Sequence, residues 1–224
     1  MGAVRRAALA YLVLVIVAGS AAIAGGDPGD PPAGPPQAVE EPPAGAPVAP
    51  RRPSRALGLP HRGRLAGGVQ LPATGSHFFS WDPILQRVPN RGWRRWGTDR
   101  LVAVVLRVAE DHRLANPGAP RLAIGDLSRR RGGDFGPRFG GLGHLSHQNG
   151  LDVDIYYPRR DRLEQAPVTV AQVDRALAQD LVDRFVAAGA ERVFVGPRVG
   201  LRGRRGVVER LVHHDDHLHL RIEP

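Results

Sequence analysis

Three stretches of the chain carry a polar and apolar period clear enough to predict elements. From Asp99 to about Leu114, Leu101, Val105 and Val108 recur on one helical stripe that Val102 and Leu106 widen, with Thr98 placed to cap the first turn, so a helix is predicted there. Leu151-Asp-Val-Asp-Ile-Tyr-Tyr157 alternates strictly, which puts Leu151, Val153 and Ile155 on one face of a strand and Asp152, Asp154 and Tyr156 on the other. His217-Leu-His-Leu-Arg-Ile222 alternates in the same way, with His217, His219 and Arg221 sharing a face. Apolar faces turn to a core, so the carboxylates and imidazoles of both strands turn to a cleft or to solvent.

Shorter signals fill in the remainder. Leu122-Ala-Ile124 and Arg192-Val-Phe-Val195 read as strands, the first running into a loop rich in Gly and Arg from Gly125 to Gly143. Thr169-x-x-Gln172 is a capping box ahead of a helix predicted to run to Ala188 and to stop at Gly189. Helices and strands mixed without a regular βαβ rhythm predict an α+β domain, its central sheet mainly antiparallel and flanked by helices.

The first sixty residues follow other rules. Arg5 and Arg6 precede an apolar run from Ala7 to Ala18, and Ala22-Ile23-Ala24 offers the small-x-small pattern of a cleavage site, so residues 1–24 read as a secretory signal cut after Ala24. An uncleaved membrane anchor is the alternative reading of the same run. Eleven of the 21 Pro fall between Pro28 and Pro60, among Gly and Ala and without apolar periodicity, so residues 25–60 read as a disordered linker. Residues 61–224 are left as a single domain.

Composition removes several chemistries. The chain has no Cys, hence no disulfide, thiolate zinc ligand or cysteine nucleophile. It has no Lys either, so all 31 basic residues are Arg and no P-loop, Schiff-base or Ser-x-x-Lys lysine exists. A formal charge of +9 favours anionic partners. The export signal, the scatter of Arg and the lack of a nucleic-acid motif exclude nucleic acid from them.

What remains is histidine and carboxylate chemistry. Of nine His, six lie in two windows, His144 and His147 in one and His213, His214, His217 and His219 in the other. His147 precedes Asp152 and Asp154 across a Gly turn, and His217 and His219 project from one strand face about 6.6 Å apart at Cα. Nitrogen and carboxylate donors from two strands suit one zinc on the sheet face, with a position left for water. Asp152, Asp215 and Asp216 are candidates to hydrogen-bond the imidazoles and fix their tautomers. Ser128 and Arg129, in the loop before the first window, are candidate substrate contacts.

GHLSHQNGLDVDIYYP followed by HHDDHLHLRI resembles the penicillin-insensitive murein endopeptidases, within the zinc peptidases that include lysostaphin-type enzymes, D-Ala-D-Ala peptidases and the hedgehog domain. GRLAGGVQLP at residues 63–72, Trp96-Gly97 and Ile124-Gly-Asp-Leu-Ser128 extend the likeness upstream. The resemblance implies His147, Asp154 and His219 as zinc ligands, His217 as the catalytic histidine and His214 as a further active-site histidine. His144 matches a position that joins a second metal in some relatives; no matching Asp and His partners stand between Ile155 and Arg198, so one zinc is expected per chain. The implied activity is hydrolysis of peptidoglycan peptide crosslinks by an exported D,D-endopeptidase, periplasmic or extracellular, using a zinc-activated water. A D-Ala-D-Ala carboxypeptidase or dipeptidase, and a non-catalytic zinc-stabilised wall-binding module, are the alternatives.

Overall fold

A computed structural model describes residues 53–135 and 144–224. The fold begins with a hairpin, β1 (Arg55–Leu59) against β2 (Arg62–Ala66), paired from Arg55 with Ala66 to Leu59 with Arg62. β1 lies inside the residues read as linker, so the ordered domain starts ahead of His61; the apolar N-terminal run and the Pro-rich residues up to 52 lie outside the described residues. Among the described residues no helix is long and apolar enough to cross a membrane.

β3 (Val69–Gln70), β4 (Phe78–Ser80) and β5 (Trp96–Gly97) follow, β3 pairing with β5 in a separate small sheet. The first helix, α1, spans Asp99–Ala115, and the Thr98 hydroxyl accepts from the Leu101 N–H at 3.1 Å, as the sequence predicts. Its buried stripe is Leu101, Val102, Val105, Val108, Ala109 and His112. β6 (Leu122–Ile124) and β7 (Asp152–Tyr156) come next, and then α2, which spans Arg175–Ala187.

α2 starts later than its capping box suggests. The box forms, with Thr169 and Gln172 bonded reciprocally, but it closes only a 3-10 turn over Val170–Gln172. Val173 then turns extended and is buried, and Asp174 caps the helix proper by accepting from the Ala176 and Leu177 N–H groups. β8 (Ala190–Val195), β9 (Val208–Arg210) and β10 (His217–Ile222) complete the chain.

Six strands form the main sheet in the order β4-β6-β7-β10-β8-β9. The sheet is mixed, which corrects the expected mainly antiparallel arrangement: the three inner pairings are antiparallel, but β4 with β6 and β8 with β9 are parallel. Both parallel pairs are joined by long crossovers, the first carrying α1, and crossovers are what parallel neighbours require. β4 and β9 are three residues each, too short for a period to reveal them.

The alternation in β7 and β10 divides the sheet into two faces. Val153, Ile155, Leu218, Leu220 and Ile222 share one core with Leu101, Val105, Val108, Leu181 and Phe185, so both helices cover the same face. The helices are further tied by His112 Nδ1 and Asp180 Oδ2 at 2.6 Å. The other face is left to Asp152, Asp154, His217 and His219, beside a smaller cluster of Phe79, Trp81, Ala123, Tyr156 and Ala166. Antiparallel register sets His219 opposite Asp154 and Arg221 opposite Asp152. A slip of β10 by one residue would turn His219 and Arg221 to the wrong face.

Candidate metal centre

Directly opposite residues on an antiparallel pair hold their Cβ atoms about 5 Å apart, within reach of a shared ligand. Asp154 Oδ1 and His219 Nδ1 lie 3.2 Å apart. His147 arrives from the loop before β7 in a left-handed conformation, φ +66°, unusual for a residue with a side chain and found at sites that over-determine it. Its Nε2 lies 3.4 Å from Asp154 Oδ1 and 3.2 Å from His219 Nδ1. The three atoms form a nearly equilateral triangle. Donors about 2.0–2.1 Å from one tetrahedral ion stand about 3.3–3.4 Å from each other, which is this spacing.

Each imidazole is set with the facing nitrogen inward. His147 Nδ1 is 2.6 Å from the Leu127 carbonyl oxygen, which accepts its proton and leaves Nε2 as the free lone pair. His219 Nε2 is 2.8 Å from Asp152 Oδ1, leaving Nδ1 free, and Asp152 also accepts from Arg221 Nε at 2.7 Å. Asp154 Oδ1 is buried with no hydrogen-bond partner among the described residues. A buried carboxylate oxygen without a donor is costly, and a cation at the triangle would satisfy it. The donor set therefore fits a zinc ion.

The charges of the site are strongly coupled. Burial would raise Asp154, but the surrounding His147, His217 and His219 hold it well below the usual carboxylate range. Asp152 is likewise brought down to about 2, its burial outweighed by the bond to His219. Burial pulls His219 down, yet Asp152 and Asp154 outweigh it and raise the imidazole to about 9. A cation and a proton compete for that nitrogen, so metal binding displaces a proton.

Residues 56–201 match the model of the penicillin-insensitive murein endopeptidase family. The chain belongs to that family. Curated relatives named penicillin-insensitive murein endopeptidase, from Escherichia coli (strain K12 / DH10B) and from Shigella boydii serotype 18, are each 34% identical over 131 residues, 58% of this chain and 41% of the relative. The chain thus aligns with about two fifths of the length of those relatives. The family match includes His144, His147 and Asp154 and ends before the second histidine window. Strand register, not that match, brings His219 to the site.

Other residues singled out in the sequence fall around the triangle. His217 turns Nε2 to within 3.8 Å of Asp154 Oδ1, while its Nδ1 is held 2.7 Å from Asp216 Oδ1. The His214 ring packs 4.7 Å from that of His217; burial and the neighbouring His217 lower it to about 4, and its Nδ1 faces the Val212 carbonyl at 2.8 Å. Gly196 allows this loop to close, because a Cβ there would stand 2.4 Å from both the His214 carbonyl and Asp215 Oδ1. Asp215 accepts not from an imidazole, among the described residues, but from Arg198 Nε at 2.6 Å, fastening the loop. His213 is exposed. Ser128 is fully buried with no partner for its Oγ among the described residues, and Arg129 Nη1 donates to the Asp134 carbonyl.

His144 stands beside the triangle. It, His147 and Asp154 each offer a donor within 4.8 Å of the others, a second grouping able to hold a metal. Its Nδ1 is 3.8 Å from Asp154 Oδ2, and its Nε2 is 2.9 Å from Asp126 Oδ2. Asp126 is clasped by the buried Arg94, whose Nε donates to Oδ1 at 2.7 Å, and by Asn90 Nδ2 at 3.0 Å. Sequence reasoning passed over Asn90, Arg94 and Asp126. Asp126 stood in a stretch used only for likeness, and Arg94 was one Arg among 31.

Proposed function

We propose that this protein is an exported zinc metallopeptidase that hydrolyses the peptide crosslinks of peptidoglycan at D,D bonds. The observation that carries the reading is the triangle of His147 Nε2, Asp154 Oδ1 and His219 Nδ1, with edges of 3.2–3.4 Å and both imidazoles turned by a fixed acceptor. In this reading those three residues hold one zinc, which supplies a Lewis acid and a water activated near neutral pH.

The chain's own residues do the rest. The Leu127 carbonyl and Asp152 fix the two ligand tautomers. His217, oriented through Nδ1 by Asp216, presents Nε2 to accept a proton or to donate to the oxyanion as the carbonyl is attacked. His214, kept neutral by burial, spends its Nδ1 proton on the Val212 carbonyl and keeps Nε2 as an acceptor. Arg5 and Arg6, the apolar run from Ala7 to Ala18 and the small-x-small Ala22-Ile23-Ala24 support export to the periplasm or cell exterior, with the Pro-rich residues as spacer.

The test is muropeptide release from isolated sacculi, followed by mass spectrometry of the products. Release at D,D crosslinks, unaffected by penicillin, abolished by chelator and restored by zinc, is expected. β-Lactams acylate a serine beside a Ser-x-x-Lys lysine that this chain lacks. Inhibition by penicillin, or full activity in excess chelator, would overturn the reading.

A further inference from the structure

β2, β5 and the segment after Leu127 converge on an open cleft of about 520 Å³, lined by Leu57, Leu65, Trp96 and three arginines, Arg64, Arg130 and Arg131. Its walls are fastened through the backbone. The Leu65 N–H donates to the Arg131 carbonyl at 2.9 Å, Arg64 and Gly132 form an antiparallel bridge, and Trp96 and Ser128 exchange both of their hydrogen bonds, at 3.1 and 2.8 Å. Gly132, at φ +68°, lies so close to the neighbouring chain that a Cβ would stand 2.1 Å from the Gln148 carbonyl. The arginines therefore sit on a framework set before any ligand arrives.

Arg91, Arg121, Arg159 and Arg198 each pair with a carboxylate. Arg64, Arg130 and Arg131 have no carboxylate partner among the described residues, and the Arg130 guanidinium lies 5.6 Å over the Trp96 ring. Like charges gathered on one cleft focus a positive field there, and an arginine fork matches a carboxylate in two parallel bonds.

The same segment also holds the metal centre. The Leu127 carbonyl binds His147 Nδ1, and the Gly133 N–H donates to the carbonyl of Gln148, the next residue after His147. Leu127 and Arg131 are four positions apart, at most about 14 Å of chain, so a peptide of about four residues spans the distance. We propose that this cleft binds the free carboxylates of the substrate's peptide arm while the bond to be cut lies at His147, Asp154 and His219. The inference rests on the peptidase reading above and adds to it a site for substrate charge, with Leu57 and Leu65 as an apolar margin.

Fluorescence anisotropy with a labelled, uncrosslinked stem tetrapeptide reads the cleft without hydrolysis, because that peptide has carboxylates but no crosslink. The zinc-loaded full chain is expected to bind the free-carboxylate peptide at least tenfold more tightly than its carboxyl-amidated form. The Arg64→Gln/Arg130→Gln/Arg131→Gln variant, its zinc content equal to the parent's, is expected to lose that preference. Equal affinity of the parent for both peptides, or a preference that survives the triple substitution, would overturn the proposal. Crosslinked muropeptides cleaved with the same KM in free and amidated forms would also overturn it while leaving the peptidase reading standing. The carboxylate preference without any cleavage would sink the peptidase reading and keep the cleft as a carboxylate site.

Discussion

Two buried carboxylates beside the histidine cluster have the same company and different consequences. Asp152 stands between Arg221 and His219, and Asp126 between Arg94 and His144. In each case an arginine and an imidazole bond the same carboxylate, meeting at Asp152 Oδ1 and at Asp126 Oδ2, and both acids are held below their ordinary range. Yet His219 presents Nδ1 3.2 Å from Asp154 Oδ1, inside the triangle, whereas His144 stands 3.8 Å from the other oxygen of Asp154. The difference is one of backbone. Asp152 and His219 lie on paired strands whose register fixes their spacing, while Asp126 and His144 lie on loops. An Arg-Asp-His relay orients an imidazole; strand register decides whether that imidazole becomes a ligand.

The largest effects belong to the triangle itself. Asp154→Ala and His219→Ala should each lose the bound zinc and all hydrolysis above background, read by metal analysis beside muropeptide release. Zinc retained at full stoichiometry in both would remove the triangle from the account. His217→Ala should keep its zinc and lose about 10²–10⁴-fold in turnover, the usual worth of a positioned acid or base. Parental turnover would make His217 a bystander.

Substitution of the two relay acids separates their roles. Asp152→Asn should weaken zinc about 10–100-fold, as loss of a ligand's hydrogen-bond partner does. Its stability should change little, because Arg221 is 20% exposed and water can take over its charge. Asp126→Asn should leave zinc affinity within a few-fold and instead cost about 3–5 kcal/mol, because Arg94 is 0% exposed and would lose the buried carboxylate that its Nε and Nη2 both donate to. Zinc titration and thermal unfolding on the same two samples check both halves, and matching profiles would erase the distinction between strand and loop.

These contrasts follow what was legible in the chain. Strict alternation exposed β7 and β10 and put Asp154 and His219 on polar faces, and Thr98 marked the start of α1. The Arg94–Asp126 pair could not be read, because both residues sit in irregular backbone, 32 positions apart, with no period to join them. The parallel edges of the sheet were hidden for a similar reason: three-residue strands show no alternation, and their partners are set by crossovers. The cleft of Arg64, Arg130 and Arg131 depends on the β2 hairpin meeting the loop after Leu127, a contact that local pattern does not encode.

The smallest expected effect lies far from the site, between the helices. Burial keeps His112 below its ordinary pKa against the pull of Asp180, and its Nε2 has no partner among the described residues. A histidine depressed by folding contributes stability that is present above about pH 6.5 and is lost as pH falls toward the folded value. The melting temperature should therefore drop between pH 7 and pH 5, and His112→Gln should flatten that drop. An unchanged slope in the variant would assign the acid sensitivity elsewhere.

The most direct test of the central claim is an anomalous-scattering map at the zinc edge from crystals of the zinc-loaded protein. The account expects one peak per chain, about 2.0–2.2 Å from His147 Nε2, Asp154 Oδ1 and His219 Nδ1, with His144 outside bonding distance. A peak ligated by His144 in place of His219, or no peak at the triangle, would contradict it.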